Sequence, residues 1–380
     1  MAADSKPFIL MIDDVHESSR PLQDLLTQRG RVVARVDHPQ EVEPAILERA
    51  DLVLMDWMLQ HWPERDTGDL PLTLRPMTGL ALGAVLRGHL KGNLRPTAFA
   101  IYSGELDQIS PDVPPEPRVH VLAKMNNQEW VFQKGDPRQL EAIARQVEEL
   151  AFSVRQLPDT LLPPKLTNFR SLLQLADESP WCERALEDIE KFRPPTFEMA
   201  ALNYHLGILR WMLHRILPYP CFLLDEHRLA ARLGVTVSSL REGLERSDAG
   251  LKRLLEGSEY RGILSGFLGR RWWRAGLAWM LDQQLGQNAP LTRIQDYVCD
   301  RVPSLQRVPK GSLVCVSQDE KARDGLYEDS EVVEVRFEDW PSEAEPAYMT
   351  IDSVKEDVML RDLVVKADRS KLDAPMPSGT

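Results

Sequence analysis

Three carboxylates stand directly after short apolar runs near the beginning of the sequence. Asp13 and Asp14 follow the run at 8–12, and Asp56 ends the run DLVLMD at 51–56. Runs of this kind are typical of buried strands in a parallel sheet, whose carboxyl ends meet at one edge. Converging carboxylates repel one another unless a cation is present, and Mg²⁺ favours oxygen ligands. The sequence therefore predicts a Mg²⁺ site formed by Asp13, Asp14 and Asp56.

A hydroxyl and an ammonium group are expected at the same edge. Ser103 follows the apolar run at 97–102, and Lys124 follows the run at 119–123. A carboxylate beside a metal ion can attack a phosphoryl group, and we expect Asp56 to be that nucleophile. The metal ion and Lys124 would neutralise the phosphoryl oxygens, and Ser103 would donate a hydrogen bond to one of them.

Alternating strands and helices would position these groups. The alternation indicates right-handed crossovers and a parallel sheet covered by helices on both faces. The predicted strands are 8–12, 31–36, 51–56, 97–102 and 119–123, and the predicted helices are 17–28, 77–89 and 136–156.

The motifs at these strand ends resemble those of the receiver domain of two-component response regulators. They are IDD at 12–14, MDWML at 55–59, YSGE at 102–105 and AKM at 123–125. The resemblance covers residues 6–156 and implies a flavodoxin-like, five-stranded parallel sheet.

The resemblance also implies a role for each of the residues already named. Asp56 would be the phosphoacceptor, and Asp13 and Asp14 would be the metal-site acids beside it. Ser103 and Lys124 would be the switch and phosphate contacts. Mg²⁺ would be the cofactor, a histidine kinase the phosphoryl donor, and the receiver could form a homodimer.

The sequence departs from the receiver pattern in three places. The connection at 60–76 is longer than receivers usually have before their third helix. Met125 follows the lysine where proline is usual, and the short fourth helix precedes PDVPPEP. The insert at 60–76 would lean over the phosphorylation edge.

Beyond this domain the pattern of apolar and charged residues changes twice along the sequence. A proline-rich linker is followed by helical spacing of apolar residues, and then by short strand-like runs between acidic turns. We therefore predict a receiver at 1–156, a linker at 157–165, a helical output domain at 166–310, a small mixed α/β segment at 311–372 and a disordered tail at 373–380.

The helical region contains one pattern that resembles the bacterial helix-turn-helix. RLAARLGVTVSSLREGL at 228–244 has a glycine at the turn and a capping hydroxyl after it. Arg241 and Arg246 would then contact DNA, although two glutamates lie on the same helix. The alternative is a helical hairpin within a larger domain.

A second cluster in this region combines arginines with tryptophans. The stretch GRRWWRAGLAW at 269–279 includes Arg271, Trp272 and Trp273, and we expect it to be helical. Such clusters anchor protein interfaces or stack on bases. The alternative is a core helix with a solvated basic side. Buried histidines, not a metal site, are expected at 197–216.

These patterns favour a signalling protein whose receiver controls a helical output domain. The net charge of −12 favours a protein partner over DNA. No catalytic motif is recognisable, so we expect no enzyme, with a DNA-binding regulator, a receiver-gated enzyme or an unphosphorylated scaffold as alternatives. Four scattered cysteines and the lack of a long apolar run predict a cytoplasmic protein without a membrane segment.

Overall fold

The computed structural model describes most of the chain. None of the helices in the described residues combines the length and the apolar character that crossing a membrane requires. Three predicted segments lie wholly or largely outside the residues that the structure describes. They are the insert, of which residues 63–75 are outside, the linker at 158–165 and the tail at 374–380. The described residues are 6–62, 76–93, 95–109, 119–157, 166–175, 178–193, 204–308 and 311–373.

A five-stranded sheet organises the first part of the chain. Every neighbouring pair of strands is parallel, and the spatial order is β2-β1-β3-β4-β5. This order is that of a flavodoxin-like, doubly wound sheet, as the sequence predicts. The strands are β1 (Phe8–Ile12), β2 (Val33–Asp37), β3 (Leu52–Met55), β4 (Ala98–Ser103) and β5 (Trp130–Gln133).

Helices cover this sheet. The central strands β3 and β4 are buried along their whole length, whereas the edge strand β2 alternates between exposed and half-buried residues up to the buried Asp37. That difference is the reason β3 and β4 are continuous apolar runs in the sequence. The helices are α1 (His16–Arg29), α2 (Pro44–Leu47), α3 (Gly79–His89), α4 (Leu106–Ile109), α5 (Val119–Met125) and α6 (Leu140–Arg155).

The prediction of the fifth strand is wrong. Residues 119–123 lie in helix α5, and the strand that pairs with β4 is β5, which begins at Trp130. A strand that ended at 123 would leave a long connection before α6, whereas only six residues lie between the end of β5 and the start of α6. Short connections and aromatic or β-branched residues favour the observed strand.

Contacts divide the chain into two compact units, and neither is continuous in sequence. The first unit is Met1–Gln174, Pro194–Arg215 and Gly262–Leu268, and the second is Leu175–Arg193, Ile216–Arg261 and Gly269–Thr380. The predicted domains follow one another along the chain, whereas each of these units is formed by three stretches that are separate in sequence. Besides the sheet, the first unit contains α7 (Leu166–Leu172) and α9 (Tyr204–Trp211).

The second unit is mainly helical and ends in a small mixed segment, in agreement with the predicted fold class. Two short antiparallel sheets belong to it, one formed by β6 (Leu223–Leu224) with β7 (Trp272–Trp273), the other by β8 (Val332–Val335) with β9 (Ala347–Thr350). Its helices are α8 (Cys182–Phe192), α10 (Glu226–Leu233), α11 (Val237–Glu245), α12 (Ala249–Leu255), α13 (Arg274–Leu285), α14 (Leu291–Arg301), α15 (Ile351–Glu356), α16 (Val358–Arg361) and α17 (Arg369–Asp373).

A fully buried carboxylate joins α9 to the sheet of the first unit. Glu129, which directly precedes β5, lies 2.6 Å from Arg210 of α9 and 3.2 Å from Arg87 of α3. It also accepts a hydrogen bond from the backbone N–H of Phe99 at the start of β4. Burial alone would raise the pKa of Glu129, but the two guanidinium groups lower it to about 2. The carboxylate is therefore charged at neutral pH and satisfied on both oxygens.

The histidines of this segment are buried, as the sequence predicts. His205 is fully buried, and His214 places Nε2 2.9 Å from the backbone oxygen of Glu129. Burial lowers the pKa of His214 to about 4. It is therefore a neutral core residue at neutral pH.

We predict that Glu129→Ala lowers the free energy of unfolding by about 3–5 kcal/mol, because it leaves the buried Arg210 and the half-buried Arg87 without their counter-charge. The measurement is urea unfolding at pH 7. Glu48→Ala removes an exposed glutamate and should cost at most about 1 kcal/mol. Equal effects of the two substitutions would contradict this account.

Candidate functional site

Three carboxylates converge at the carboxyl edge of the sheet. Asp13 and Asp14 follow β1 and Asp56 follows β3, and oxygen atoms of the three lie within 4.8 Å of one another. Strands β1 and β3 are neighbours at the point where the strand order reverses, which is where doubly wound sheets bind ligands. Among the described residues, these three form the only cluster of this size with metal-ligand chemistry. The donors are hard oxygens, which fit Mg²⁺.

The cation at this edge is Lys134, and the prediction of Lys124 is wrong. Lys134 directly follows β5 and places Nζ 2.8 Å from Asp13 Oδ2 and 2.9 Å from Asp56 Oδ1. Its backbone N–H donates to the backbone oxygen of Ser103 at 2.7 Å. Lys124 is an exposed residue of α5, because the run before it is helical and does not join the sheet.

Two hydroxyl groups of α1 complete the environment of Asp13. Ser18 and Ser19 both donate to Asp13 Oδ2, each at 2.5 Å. Burial would raise the pKa of Asp13, but Lys134 and these hydroxyls lower it below its ordinary value of 3.8. Asp13 is therefore held as a carboxylate.

The pKa of Asp56 is shifted in the opposite direction from that of Asp13. Burial raises the pKa of Asp56 above its ordinary value of 3.8, and the charge of Asp13 adds to the increase, while Lys134 opposes both. Its side chain keeps 16% of its surface exposed, compared with 2% for Asp13. Asp56 is therefore the more accessible of the two carboxylates that Lys134 bridges.

Ser103 lies at the predicted place. It is the last residue of β4, it is buried, and its Oγ accepts a hydrogen bond from the N–H of Glu105 at 3.2 Å. The ring of Tyr102, one residue earlier, lies 5.0 Å from Lys134 Nζ. Burial, with a further contribution from the charge of Asp13, raises the pKa of Tyr102 to about 12.

The base of the insert lies beside the carboxylates. The backbone N–H of His61 donates to Asp14 Oδ2, and His61 Nδ1 lies 3.9 Å from the same oxygen. Met58 and Thr78 form an isolated antiparallel β-bridge. The two ends of the insert therefore lie side by side at the carboxyl edge of the sheet. Residues 63–75, on which the prediction of an overhanging insert depends, lie outside the described residues.

Gly79 allows α3 to begin directly against Asp56. A Cβ atom at this position would lie 2.0 Å from the backbone oxygen of Asp56. The N–H of Gly79 donates to the backbone oxygen of Trp57 at 2.9 Å. A side chain at this position would therefore displace the backbone that carries Asp56.

Sequence reasoning missed Lys134, Ser18 and Ser19. The signal for Lys134 was present in WVFQK at 130–134, an aromatic and β-branched run that ends shortly before the last helix of the sheet. The serines follow the acidic pair by a few residues, but nothing local shows that their hydroxyls point back to Asp13.

The tryptophans predicted as partner contacts are core residues. Trp272 and Trp273 are 1% and 2% exposed, because they form strand β7 and not the predicted helix, which begins only at Arg274. The Trp273 ring stacks on Phe222 at 5.7 Å. Arg271 is also buried and donates to the backbone oxygen of Leu217 at 3.1 Å. The prediction that these three side chains contact a partner or DNA is therefore wrong.

The helical pair predicted at 228–244 is present. Helices α10 and α11 flank Gly234, which has a φ of 68°, and Thr236 caps α11. However, Arg241 pairs with Glu226 and Asp324 at 3.3 and 3.2 Å. Arg246 pairs with Glu242 at 3.1 Å. Both predicted DNA contacts therefore face carboxylates in this unit.

Comparison with known proteins gives a weak structural likeness. No family model matches the chain, and no curated protein matches it. Among solved structures it is similar to the crystal structure of response regulator ChrA in a heme-sensing two-component system, with 11% identity over 79% of this chain and 99% of that chain. The TM-score is 0.25, so this likeness carries no weight, and the fold class rests on the strand order.

We predict that Lys134→Met raises the pKa of Asp13 above 3.8, because burial then acts unopposed by the ammonium group. In the wild type the lowered pKa stabilises the fold above pH ~4, and this stabilisation is lost as the pH falls through the native pKa. In the variant the sign reverses, and Asp13 destabilises the fold at neutral pH. The measurement is a carboxyl ¹³C NMR titration.

The matched control for this titration is Lys124→Met. It removes an exposed lysine of α5 and should leave the Asp13 titration unchanged. A shift of Asp13 in the control, or none in Lys134→Met, would contradict the assignment of the cation.

Proposed function

We propose that the first unit is the receiver module of a response regulator-like signalling protein. Asp56 accepts a phosphoryl group from a partner histidine kinase, in the presence of Mg²⁺. The observation that carries this proposal is the convergence of Asp13, Asp14, Asp56 and Lys134 at the switch point of the sheet. Three carboxylates and one ammonium group at this position suit a phosphoacceptor better than a structural ion cluster, because the acceptor oxygen remains accessible.

The proposed step is a transfer between two side chains. An oxygen of Asp56 attacks phosphorus, and the bond between phosphorus and the donor imidazole nitrogen breaks as the new bond forms. The imidazole leaves with the bonding electron pair and takes up a proton from solvent. Lys134 neutralises charge on the phosphoryl oxygens, and the hydroxyl of Ser103 donates to one of them. Mg²⁺ bound by Asp13 and Asp14 would supply further charge neutralisation.

The output is proposed to act on a protein partner. Support comes from the ion pairs that engage Arg241 and Arg246 within the second unit, since a DNA contact would have to break them. The net charge of −12 also disfavours binding to a polyanion.

We predict that acetyl phosphate with Mg²⁺ adds one phosphoryl group to the wild type and none to Asp56→Asn. The amide cannot attack phosphorus, because it lacks the anionic oxygen. Intact-mass measurement follows the modification, and hydroxylamine should remove it as expected for an acyl phosphate.

Two further variants serve as controls for this experiment. Asp24→Asn changes an exposed aspartate of α1 and should be phosphorylated as the wild type is. Lys134→Ala should slow phosphorylation by at least about tenfold, whereas Lys124→Ala should not. A phosphoryl group retained in Asp56→Asn would show that the acceptor is another residue.

We also predict that Asp14→Ala weakens Mg²⁺ binding by about 10–100-fold, because it deletes an oxygen donor at the site. Binding is followed by the fluorescence of Trp57, which is adjacent to Asp56, and by calorimetry. Asp24→Ala is the matched control, and its affinity should equal that of the wild type. An unchanged affinity in Asp14→Ala would place the metal ion elsewhere.

A further inference from the structure

A segment that interrupts the second unit in sequence docks on the last strand and helix of the sheet. This segment, Gly262–Leu268, is called the clip below, and it belongs to the first unit. Residues 216–261 before it and 269–380 after it belong to the second unit. The clip is therefore covalently connected to the second unit at both of its ends.

The clip is fixed to one face of α6 by hydrogen bonds. The N–H of Leu264 donates to Ser153 Oγ at 2.8 Å, and the N–H of Gly266 donates to Glu149 Oε1 at 3.3 Å. Gln146 Nε2 donates to the backbone oxygen of Phe267 at 3.0 Å. The three helix residues are separated by three and four positions and share one face. Leu264 has a φ of 61°, which is unusual for leucine and is held by these contacts.

The clip also packs on strand β5. The Phe267 ring lies 4.9 Å from the Trp130 ring and 6.4 Å from the Phe132 ring, with edge-to-face geometry in both cases. Side chains alternate along a strand, so Trp130, Phe132 and Lys134 extend to the same face of the sheet. The clip therefore lies on the face from which the site lysine leaves the strand.

Aromatic residues lie between the lysine and the clip on this face. Phe132 pairs in register with Tyr102 of β4, and the ring of Tyr102 lies 5.0 Å from Lys134 Nζ. A row of neighbouring residues thus runs from the ammonium group to Tyr102, to its strand partner Phe132, and on to Phe267. A phosphoryl group on Asp56 would draw the ammonium group away from Asp13 and change its position over the Tyr102 ring.

We propose that the clip senses the state of Asp56 through these rings and passes it along the chain to the second unit. This inference rests on the proposed function. The output route is intramolecular and needs no second copy of the chain. Phosphorylation weakens the packing of Phe267 on β5, and the clip then opens more often.

Hydrogen exchange of the full chain tests this inference. The probe is beryllofluoride with Mg²⁺, which mimics the acyl phosphate, and native mass spectrometry verifies that the adduct forms. Amides of the clip, above all those of Leu264 and Gly266, should exchange at least about threefold faster in the adduct. Amides of β8, at Val332–Val335, should not change.

Variants separate the route through the rings from a general loosening of the fold. Phe132→Leu should still form the adduct but lose the response of the clip. Phe8→Leu is the same substitution at the start of β1, and it should keep both the adduct and the exchange response of the clip. Phe267→Leu should make the amides of the clip exchange fast with or without the adduct. An adduct with unchanged exchange in the clip, or a full response in Phe132→Leu, overturns this inference alone. Failure to form the adduct refutes the phosphoacceptor proposal and this one with it.

Discussion

The ammonium group of Lys134 is the interaction on which the candidate site depends. Three carboxylates at one sheet edge repel one another, and this cation bridges two of them at 2.8 and 2.9 Å. It can do so only because β5 pairs with β4 in a register that places Lys134 one residue beyond the Ser103–Gln133 pair. The pairing of the strands therefore places the ammonium group of Lys134 beside carboxylates that follow two other strands.

Local patterns predict the acidic half of this arrangement but not the basic half. Asp13, Asp14 and Asp56 each follow an apolar run that is long enough to be a strand, and the structure confirms all three positions. Two runs end in lysine, at 124 and at 134, and the aromatic and β-branched residues of the second give only a weak local signal in its favour. The pairing with β4 that decides between them joins residues some thirty positions apart, as Ala100 with Trp130.

The same reasoning explains the other predictions that failed. Residues 269–279 have helical spacing, yet Trp272 and Trp273 form a strand because Leu223 and Leu224 are available to pair with them. The helical pair around Gly234 is determined by local turn and capping chemistry, and so it was predictable. The partner of Arg241 was not, because Asp324 lies 83 positions away. Contacts between residues far apart in sequence likewise place 194–215 and 262–268 in the first unit.

Strand β5 carries opposite charges at its two ends, and the two are held in different ways. Glu129, before the strand, is fully buried between Arg87 and Arg210, and its pKa of about 2 keeps it charged throughout the neutral range. Lys134, after the strand, binds carboxylates that a metal ion and a phosphoryl group would also engage. One end of this four-residue strand therefore follows a fully buried carboxylate, whereas the other end is followed by a cation whose partner Asp56 stays partly exposed. Phe132, whose ring lies 6.4 Å from that of Phe267, stands between these two charges and only two residues before Lys134.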